Sequence, residues 1–479
     1  MKFGHKKLYI DGELVNARED STREVICPGT GEAVATIAWA GRADAERALE
    51  AAQAGFKKWS KMTLHARNQW ISKLCDALQE RESELREAVM YEMGKTYGQA
   101  GEDYESLINA LKWYPQEMLH RRDELIPDPD GTHAHQVVSE PAGVAVAYLA
   151  WNFPLLNLSF KLGPALAAGC SLIVKPSEKS PLSAYVVGEV LASINFPKGV
   201  VNILAGSNDE VAPTLSGSSI PRVITMIGSS ASGRTAMQQA ATSIKHFSME
   251  LGGNAPAIVC EDADLNRALS DLSALKFGNC GQICVAPNRI FVHRSVYWEF
   301  IDRFVEKSSQ KVVGFGREKN VDMGPLVDER AQRRMKQLVQ TSLDEGAQLE
   351  CGGKIPEDHK EGFFFEPTVF SDVRPEMTIF REEIFGPLAS IIPFDSDEEA
   401  LAMANDSSVG LSSYVYSSNI DRINFFGAGL EVGEVHVNGF KYAIYLPHGG
   451  VKESGLGHDC SHLALDDYLS KKRVTIRIG

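Results

Sequence analysis

Residues 250–284 read ELGGNAPAIVCEDADLNRALSDLSALKFGNCGQIC and contain the two groups around which the rest of the chain is interpreted. Glu250 stands before a pair of glycines, an apolar run and a helical segment follow, and Cys284 closes a small turn that contains glycine. A thiolate that attacks a carbonyl and a carboxylate that takes a proton from water can together perform covalent catalysis followed by hydrolysis. Each residue also has a structural alternative, because most cysteines are small buried hydrophobes and a glutamate often ends a strand or helix.

The composition is that of an acidic globular protein. The chain has 479 residues, too many for one compact core, so we expect two or more domains. A hydrophobic content of 44% and a charged content of 23% are ordinary for a folded enzyme. The net charge of -14 argues against nucleic acid or an anionic membrane as a partner, because both require a basic surface.

The sequence shows neither a targeting segment nor a membrane span. Residues 1–7 (MKFGHKK) are not followed by the apolar run of a secretory signal. The most apolar segment, residues 144–174, is interrupted by prolines, asparagines and a lysine, which excludes a simple membrane span. The cysteines are scattered, and Cys280 and Cys284 lack the further ligands of a metal site. We expect a cytoplasmic protein without a bound metal.

Alternating strands and helices predict an α/β fold. Apolar strand-like runs alternate with helical segments over residues 143–250, and a second α/β pattern extends from residue 289 to about residue 460. This alternation is typical of a parallel, doubly wound sheet, whose ligands bind beyond the carboxyl ends of the strands. Short strands and amphipathic helices at residues 5–121 are interpreted as scaffold.

Two extended segments predict an arm that leaves the domains. Residues 125–140 are polar and then strand-like, and residues 472–478 alternate like an edge strand. Because such a strand would otherwise be exposed, we expect the tail to pair across a subunit boundary in a homodimer or homotetramer. His133 and His135 have no further ligands nearby and are interpreted as strand residues.

Polar residues follow the carboxyl ends of the predicted strands. The amide of Asn152 can donate to an oxyanion, although a simple turn residue is an equal alternative. Lys175 and Glu178 can bind the ribose or phosphate of a nucleotide, although Glu178 also suits a solvated helix start. Residues 228–233 (GSSASG) open a helix, so their amides can face a pyrophosphate, but they lack the first glycine of the common dinucleotide motif.

The motifs at residues 250–253 (ELGG) and 281–284 (GQIC), at their mutual spacing, resemble the two signature motifs of the aldehyde dehydrogenase superfamily. The resemblance extends from residues 8–13 (LYIDGE) to residues 449–457 (GGVKESGLG), and thus covers nearly the whole chain. Within the superfamily the chain resembles the semialdehyde and benzaldehyde dehydrogenase branch. The Gly-x-x-x-x-Gly turn at residues 228–233 also fits this family's way of binding its dinucleotide.

The resemblance implies the aldehyde dehydrogenase fold and its division into domains. A Rossmann-like NAD-binding domain is expected at residues 1–122 and 142–251, followed by an α/β catalytic domain at residues 252–455. A β oligomerisation arm is expected at residues 123–141 and 464–479.

The resemblance also implies roles for individual residues. Cys284 is the expected nucleophile, Glu250 the base and Asn152 the oxyanion donor, while Lys161 matches a proton-relay lysine for which a surface position is the simpler interpretation. The residues implied for cofactor binding are Trp151, Lys175, Ser177, Glu178, Gly228, Ser229, Gly233, Leu251, Glu383 and Phe385. The residues expected around the substrate are Phe153, Asn157, Phe160, Gly278, Ile283, Val285, Tyr442 and His448, the last in place of the family's usual phenylalanine.

The expected reaction is oxidation of an aldehyde to the carboxylic acid with NAD(P)+ through a thiohemiacetal and a thioester on Cys284. NAD is favoured over NADP, because the Glu178 carboxylate would repel a 2′-phosphate. Phe160 and Gly278 stand where succinate-semialdehyde members carry arginines, which favours medium-sized neutral, hydroxylated or aromatic aldehydes. The alternatives are a CoA-acylating semialdehyde dehydrogenase, a succinate-semialdehyde-type dehydrogenase and a catalytically silent NAD-binding structural protein.

Overall fold

The computed structural model describes residues 1–317 and 320–478. Glu318 and Lys319, in the predicted catalytic domain, and Gly479, in the predicted arm, lie outside the described residues. The strands are β1 (His5–Lys6), β2 (Leu8–Ile10), β3 (Glu13–Val15), β4 (Thr22–Ile26), β5 (Ala33–Ala38), β6 (Glu124–Ile126), β7 (His133–Pro141), β8 (Val144–Tyr148), β9 (Ser171–Lys175), β10 (Val201–Ile203), β11 (Pro221–Ile227), β12 (His246–Glu250), β13 (Ala255–Val259), β14 (Pro287–His293), β15 (Gln348–Cys351), β16 (Thr368–Ser371), β17 (Leu388–Phe394), β18 (Val409–Gly410), β19 (Ser412–Tyr416), β20 (Glu434–Val437), β21 (Val451–Lys452), β22 (Gly455–Leu456) and β23 (Leu469–Arg477).

The helices are α1 (Arg42–Trp59), α2 (Leu64–Glu80), α3 (Glu82–Met93), α4 (Tyr97–His120), α5 (Pro154–Ala168), α6 (Leu182–Ser193), α7 (Val211–Gly217), α8 (Ser230–Ala240), α9 (Leu265–Phe277), α10 (Tyr297–Ser309), α11 (Glu329–Asp344), α12 (Thr378–Arg381), α13 (Asp397–Asn405), α14 (Ile420–Gly429) and α15 (Leu463–Asp466). Short 3-10 helices lie at Gly278–Gly281 and Arg294–Val296. In the part of the chain that the structure describes, we find no helix with both the length and the apolar character needed to cross a membrane.

The first large sheet has the strand order β22-β12-β11-β8-β9-β10-β2-β3. The five strands from β12 to β10 are parallel, and the outer strands β22 and β2 run antiparallel to them. The chain enters this parallel set at β8, extends to β9 and β10 on one side, and then returns to β11 and β12 on the other. This reversal beside β8 is the topological switch point at which doubly wound sheets bind their ligands, so the predicted α/β fold is confirmed.

The loop after β8 is fixed between two buried elements. All five residues of β8 are buried, because helices cover both faces of the sheet. Helix α5 begins with Pro154, whose ring fixes a helical φ, and it ends at Gly169, whose φ of +95° closes the helix. Residues 151–153 are thereby held at the carboxyl edge of the sheet.

The second large sheet has the order β15-β16-β17-β14-β13-β19-β20 and is parallel except for β15. Its strands share one hydrophobic core, which includes residues from Ala255 to Leu430. The core around the first sheet includes residues from Leu8 to Met249 and then Ala464, Leu465 and Tyr468. The chain passes from one core to the other between β12 and β13.

The third sheet is the predicted arm, with the order β23-β7-β6. Strand β23 pairs antiparallel with β7 of the same chain along its whole length, and as an edge strand it keeps its other side unpaired among the described residues. Helix α15 packs in the first core, and the arm strand begins at Leu469 rather than at residue 464. Pairing within the chain is possible because residues 141 and 469 lie side by side where both strands leave the core.

Candidate active site

A cavity of about 1510 Å³ is lined by residues from both large sheets. The predicted site residues line it with three exceptions, which are Lys161, Gly233 and Gly278. Its walls include the residues that follow β8, β9, β11 and β12, because the carboxyl ends of these parallel strands meet at one edge of the sheet. Residues predicted separately as nucleophile, base, cofactor-binding groups and substrate-binding groups therefore line one cavity.

Glu250 is the last residue of β12 and is 4% exposed. Neither of its carboxylate oxygens has a hydrogen-bond partner among the described residues. Burial raises the pKa of this carboxyl well above its usual range, and the charge of His448 only partly opposes the effect. A carboxyl with a raised pKa that lines a cavity is a suitable general base.

The paired glycines after Glu250 permit two close approaches. A β-carbon on Gly253 would lie 2.3 Å from the carbonyl oxygen of Cys284, and one on Gly252 would lie 2.9 Å from a carboxylate oxygen of Glu383. Larger residues would therefore push the Cys284 loop and Glu383 away from the end of β12. This is the physical reason for the two glycines beside Glu250.

Cys284 follows a tight left-handed turn. Asn279, Cys280 and Gly281 have φ angles of +46°, +57° and +70°, and a β-carbon on Gly281 would lie 2.1 Å from the carbonyl oxygen of Gly386. The turn buries Cys280 and leaves Cys284 half-buried at the cavity wall. Burial raises the pKa of the Cys284 thiol above its usual value, and His448 opposes only part of this effect.

The side-chain amide of Asn152 is oriented by its neighbours. Its Nδ2 donates to the carbonyl oxygen of Gln282 at 3.2 Å, and its Oδ1 accepts from Nδ2 of Asn157 at 3.3 Å. Because Asn157 holds the oxygen, the NH₂ group is directed toward the Cys284 loop, and its second N–H can serve a developing oxyanion. Asn157, expected as a substrate contact, therefore also positions Asn152.

Lys161 is buried, so the interpretation as a surface lysine is wrong. Its Nζ lies 2.6 Å from Oδ1 of Asp459, and the two side chains are 0% and 2% exposed. Lys161 does not line the cavity, whereas Asp459 does. Helix α5 is buried along nearly its whole length, and a lysine there requires a carboxylate partner, which the sequence pattern alone did not identify.

Glu434 is a cavity residue that sequence reasoning missed. It begins β20, and its Oε1 lies 2.6 Å from Nδ1 of His448. No motif marks this glutamate, because it lies far along the chain from Cys284 and stands in an ordinary strand. The only signal was His448 itself, a polar residue where the resemblance predicts an aromatic one.

The proposed nucleotide side of the cavity contains Lys175 and Glu178. Nζ of Lys175 donates to Oδ1 of Asn208 at 2.7 Å, and burial lowers the pKa of Lys175 to about 8. One oxygen of Glu178 lies 2.8 Å from Arg23, and the other accepts from the backbone N–H of Asn208 at 3.2 Å. These contacts fix the carboxylate beside Lys175, and Ser177 lines the cavity between them.

The loop at residues 228–233 leads into helix α8. Ser229 caps this helix, and its Oγ accepts from the backbone N–H of Ser232 at 3.2 Å. Gly228 and Ser229 line the cavity, so the positive end of the helix dipole is directed toward it. Gly233 does not line the cavity, and a β-carbon there would lie 2.7 Å from the side chain of Leu251.

The predicted nicotinamide end lies near Glu383 and Phe385. Glu383 accepts from the backbone N–H of Gly253 at 3.1 Å, and burial raises its pKa to about 7. Phe385 has a left-handed φ of +50° and packs edge-on against Trp151 at 5.2 Å between ring centroids. A bulky residue in this conformation is strained, and such strain is typical of functional sites.

The substrate side of the cavity has aromatic walls. Phe153, Phe160, Ile283, Val285 and Tyr442 all line it. The Tyr442 hydroxyl lies 2.7 Å from that of Tyr414, which donates to the carbonyl oxygen of Val285 at 2.7 Å. Gly278 does not reach the cavity and lies behind Ile283.

Comparison with known proteins identifies the family. The sequence pattern of the aldehyde dehydrogenase family matches residues 15–474. The chain belongs to the aldehyde dehydrogenase family. Among curated aldehyde dehydrogenase relatives, the mitochondrial succinate-semialdehyde dehydrogenase of Oryza sativa subsp. japonica is 36% identical over 467 residues, which cover 97% of this chain and 88% of the relative.

Solved aldehyde dehydrogenase structures share the same fold. A 3,6-anhydro-L-galactose dehydrogenase in complex with NADP matches with a TM-score of 0.96 and 34% identity, over 99% of this chain and 100% of the other. Betaine aldehyde dehydrogenase of Staphylococcus aureus in complex with NAD+ matches with a TM-score of 0.95 and 32% identity, over 98% of this chain and 94% of the other. This aldehyde dehydrogenase is thus an NAD(P)-dependent oxidoreductase that converts an aldehyde to the acid.

Proposed function

We propose that Cys284 is the nucleophile and Glu250 the hydrolytic base of this aldehyde dehydrogenase. The observation that carries the proposal is the buried carboxylate of Glu250, which has no hydrogen-bond partner among the described residues and lines the same cavity as Cys284. A buried carboxylate is costly without a hydrogen-bond partner, so its presence in the cavity wall favours a chemical role. An attacking water is the partner that the role requires.

Cys284, Asn152 and Glu250 each have a separate proposed role in the reaction. The Cys284 thiolate adds to the aldehyde carbon, and the amide of Asn152 donates to the oxygen that becomes negative, a contribution of about 3 kcal/mol for one such donor. Bound NAD(P) supplies the acceptor for the hydride. Glu250 then takes a proton from the water that attacks the Cys284 thioester, and the carboxylic acid is released.

The cavity fits a dinucleotide. Lys175 and Glu178 suit the ribose hydroxyls, the amides at the start of α8 suit the pyrophosphate, and Glu383 suits the second ribose. We propose that NAD is preferred, since Arg23 and the Asn208 amide hold the Glu178 carboxylate where a 2′-phosphate would meet its charge.

Glu178→Ala is expected to raise the ratio of kcat/KM for NADP to that for NAD by on the order of tenfold. The change removes the repelling carboxylate and frees the guanidinium of Arg23 for the 2′-phosphate. Steady-state kinetics with both cofactors measures the ratio. The double variant with Arg23→Ala is the control and should lose most of the gain, whereas an unchanged ratio in Glu178→Ala would contradict the assignment.

We propose a medium-sized neutral, hydroxylated or aromatic aldehyde as the substrate. Phe153, Phe160 and Tyr442 provide aromatic walls, and Asn157 and His448 provide polar groups. A succinate-semialdehyde-type activity is the alternative, supported by the 36% identity to the rice enzyme of that name.

An aldehyde panel assayed by NADH absorbance tests both the substrate and the hydrolytic route. We expect higher kcat/KM for aromatic or hydroxylated aldehydes than for succinic semialdehyde, and acid as the product. Addition of coenzyme A should leave the rate and the product unchanged, because Glu250 hydrolyses the thioester. Acyl-CoA formation faster than acid release would support the CoA-acylating alternative instead.

We propose that the arm sheet joins subunits into a homodimer or homotetramer. Leu125, Ile126, Val474 and Ile476 are exposed on its edge strands, which supports burial against another chain. The domain division at residues 251 and 252 is supported by the change of hydrophobic core between β12 and β13. We propose a cytoplasmic location, and the eight cysteines, all within the described residues and free there, suit it.

A further inference from the structure

A loop formed by residues 448–454 packs over the carboxylate of Glu250. Nε2 of His448 lies 3.9 Å from Oε2 of Glu250. A β-carbon on Gly449 would lie 3.3 Å from the other carboxylate oxygen, Oε1, so a larger residue there would push the loop away. The carbonyl oxygen of Ser454 accepts from the backbone N–H of the residue after Glu250 at 2.8 Å, which ties the loop to the end of β12. The loop thus brings His448 to the proposed base.

His448 is fixed at its backbone and at its ring. Its backbone N–H donates to the carbonyl oxygen of Asp459 at 2.9 Å, and its carbonyl oxygen accepts from the backbone N–H of Asp459 at 2.7 Å. Nδ1 of the ring lies 2.6 Å from Oε1 of Glu434, the first residue of β20. The other oxygen of Glu434 lies 3.4 Å from Nε2 of His436, which fixes the carboxylate in turn. Because Glu434 holds Nδ1, the second ring nitrogen, Nε2, is directed toward Glu250.

The distance of 3.9 Å between Nε2 and Oε2 suits a charge contact and not a hydrogen bond. Neither carboxylate oxygen of Glu250 has a hydrogen-bond partner among the described residues. An opposite charge within about 4–6 Å nevertheless favours the ionised form of a carboxyl. The side chains of His448 and Glu250 are 14% and 4% exposed, so solvent screens the charge little. His448 can therefore stabilise the carboxylate and leave its oxygens open to water.

Groups of both charges surround Glu250 and His448. In the described part of the chain, the titratable groups near them are Lys161 on α5, Glu434 and His436 on β20, and Cys284, Tyr442, His458, Asp459 and Cys460. Burial raises the pKa of Glu250, the charge of His448 is the main opposing influence, and Asp459 adds to the rise. Burial lowers the pKa of His448, but its hydrogen-bonded and charged neighbours outweigh burial and raise that pKa well above its usual value. The ring is therefore an imidazolium at neutral pH.

We propose that His448 is a positioning residue for the base, whose imidazolium keeps Glu250 in the carboxylate form that takes a proton from water. The inference rests on the proposed function of Glu250 and extends it to a neighbour. His448 gives up no proton in this role, because the proton of the attacking water moves to Glu250 and the imidazolium stays beside Glu434. Phenylalanine, the family's usual residue here, cannot supply this charge, so the contact depends on this chain's own histidine.

The pH dependence of thioester hydrolysis tests the proposal. The full-length wild type and His448→Phe are mixed rapidly with NAD and an aldehyde, and acid quench with mass spectrometry follows the decay of the acyl-enzyme at each pH. His448→Phe keeps an aromatic ring but removes the charge, so the pKa of Glu250 should rise and the midpoint of hydrolysis should move up by about one pH unit or more. Below that midpoint hydrolysis should slow by on the order of tenfold, and at high pH it should approach the wild-type rate. The NADH burst should keep its amplitude.

His448→Gln separates the charge from the packing of the side chain. Glutamine is neutral but can still donate hydrogen bonds, so the midpoint should move as far as in His448→Phe, and this variant replaces the other if that one fails to fold. His65→Gln changes an exposed histidine, serves as the control and should keep the wild-type profile. A wild-type midpoint in both His448 variants would overturn the proposal, and so would an equal loss of rate at every pH, which indicates a packing role.

Glu250→Gln distinguishes a failure of this proposal from a failure of the proposed function. Steady-state turnover at the wild-type rate in Glu250→Gln would remove Glu250 as the base, whatever the His448 variants show. Slow hydrolysis in Glu250→Gln, together with an unmoved midpoint in the His448 variants, would keep Glu250 as the base and overturn only the role of His448.

Discussion

Cys284→Ala is expected to abolish NADH production, with a loss in kcat on the order of 10⁴-fold or more, while the affinity for NAD stays near that of the wild type. The loss follows because no other group in the cavity is proposed to attack the aldehyde. The affinity is preserved because Cys284 is not among the proposed nucleotide contacts, which come from the loops after β8, β9 and β11 and from Glu383. NADH absorbance measures turnover, and fluorescence titration with NAD measures binding.

Cys351→Ala is the matched control for this experiment. Cys351 is also half-buried, but it lies in β15 and does not line the cavity. Its loss should leave turnover unchanged. A wild type that binds NAD without oxidising any aldehyde would support the silent structural alternative, and an active Cys284→Ala would remove Cys284 from the mechanism.

Glu250→Gln is expected to separate the two halves of the reaction. A first turnover of NADH should remain as a burst, because the thiolate still attacks the aldehyde. Steady-state turnover should then fall by on the order of 10²- to 10⁴-fold, because the amide cannot take a proton from water. Rapid mixing followed by NADH absorbance resolves the burst from the slow phase, and mass spectrometry detects the accumulated acyl-enzyme.

The pH profile provides a second readout for Glu250. Because burial raises the pKa of Glu250 and the base acts only when deprotonated, the wild-type rate of hydrolysis should fall as the pH drops through that raised pKa. This limb should vanish in Glu250→Gln. Glu398→Gln, an exposed acid on α13, should keep the wild-type profile. A missing burst in Glu250→Gln would place Glu250 in the attack step instead of in hydrolysis.

Much of the fold could be predicted from the local pattern of apolar residues in the sequence. The fully buried strands β8, β9 and β13 appear in the sequence as continuous apolar runs, because a parallel sheet is covered on both faces. The glycines of the ELGG and GQIC motifs stand where two backbone segments come close, as the distances at Gly253 and Gly281 show. The nucleophile and base were predicted by resemblance, and the two residues, Cys284 and Glu250, line one cavity in the structure.

Other features depended on partners that no local pattern reveals. Lys161 looked like a surface lysine because its partner, Asp459, lies almost three hundred residues further along the chain, with a separation of 298. The pairing of β23 with β7 joins segments that are separated by 332 residues at Lys471 and Ser139. His448 was expected to line the substrate pocket, and it lines the cavity; what the sequence did not reveal is that its Nε2 lies near Glu250 and its Nδ1 near Glu434.

The sequence by itself determined the alternating α/β architecture and the family resemblance, because the first follows from apolar periodicity and the second from motifs at short spacing. Only the tertiary structure decided which charged groups meet. The neighbourhoods of Lys161, Glu434 and His448 arise from chain segments brought together by packing, and burial there makes each unpaired charge costly enough to require a partner.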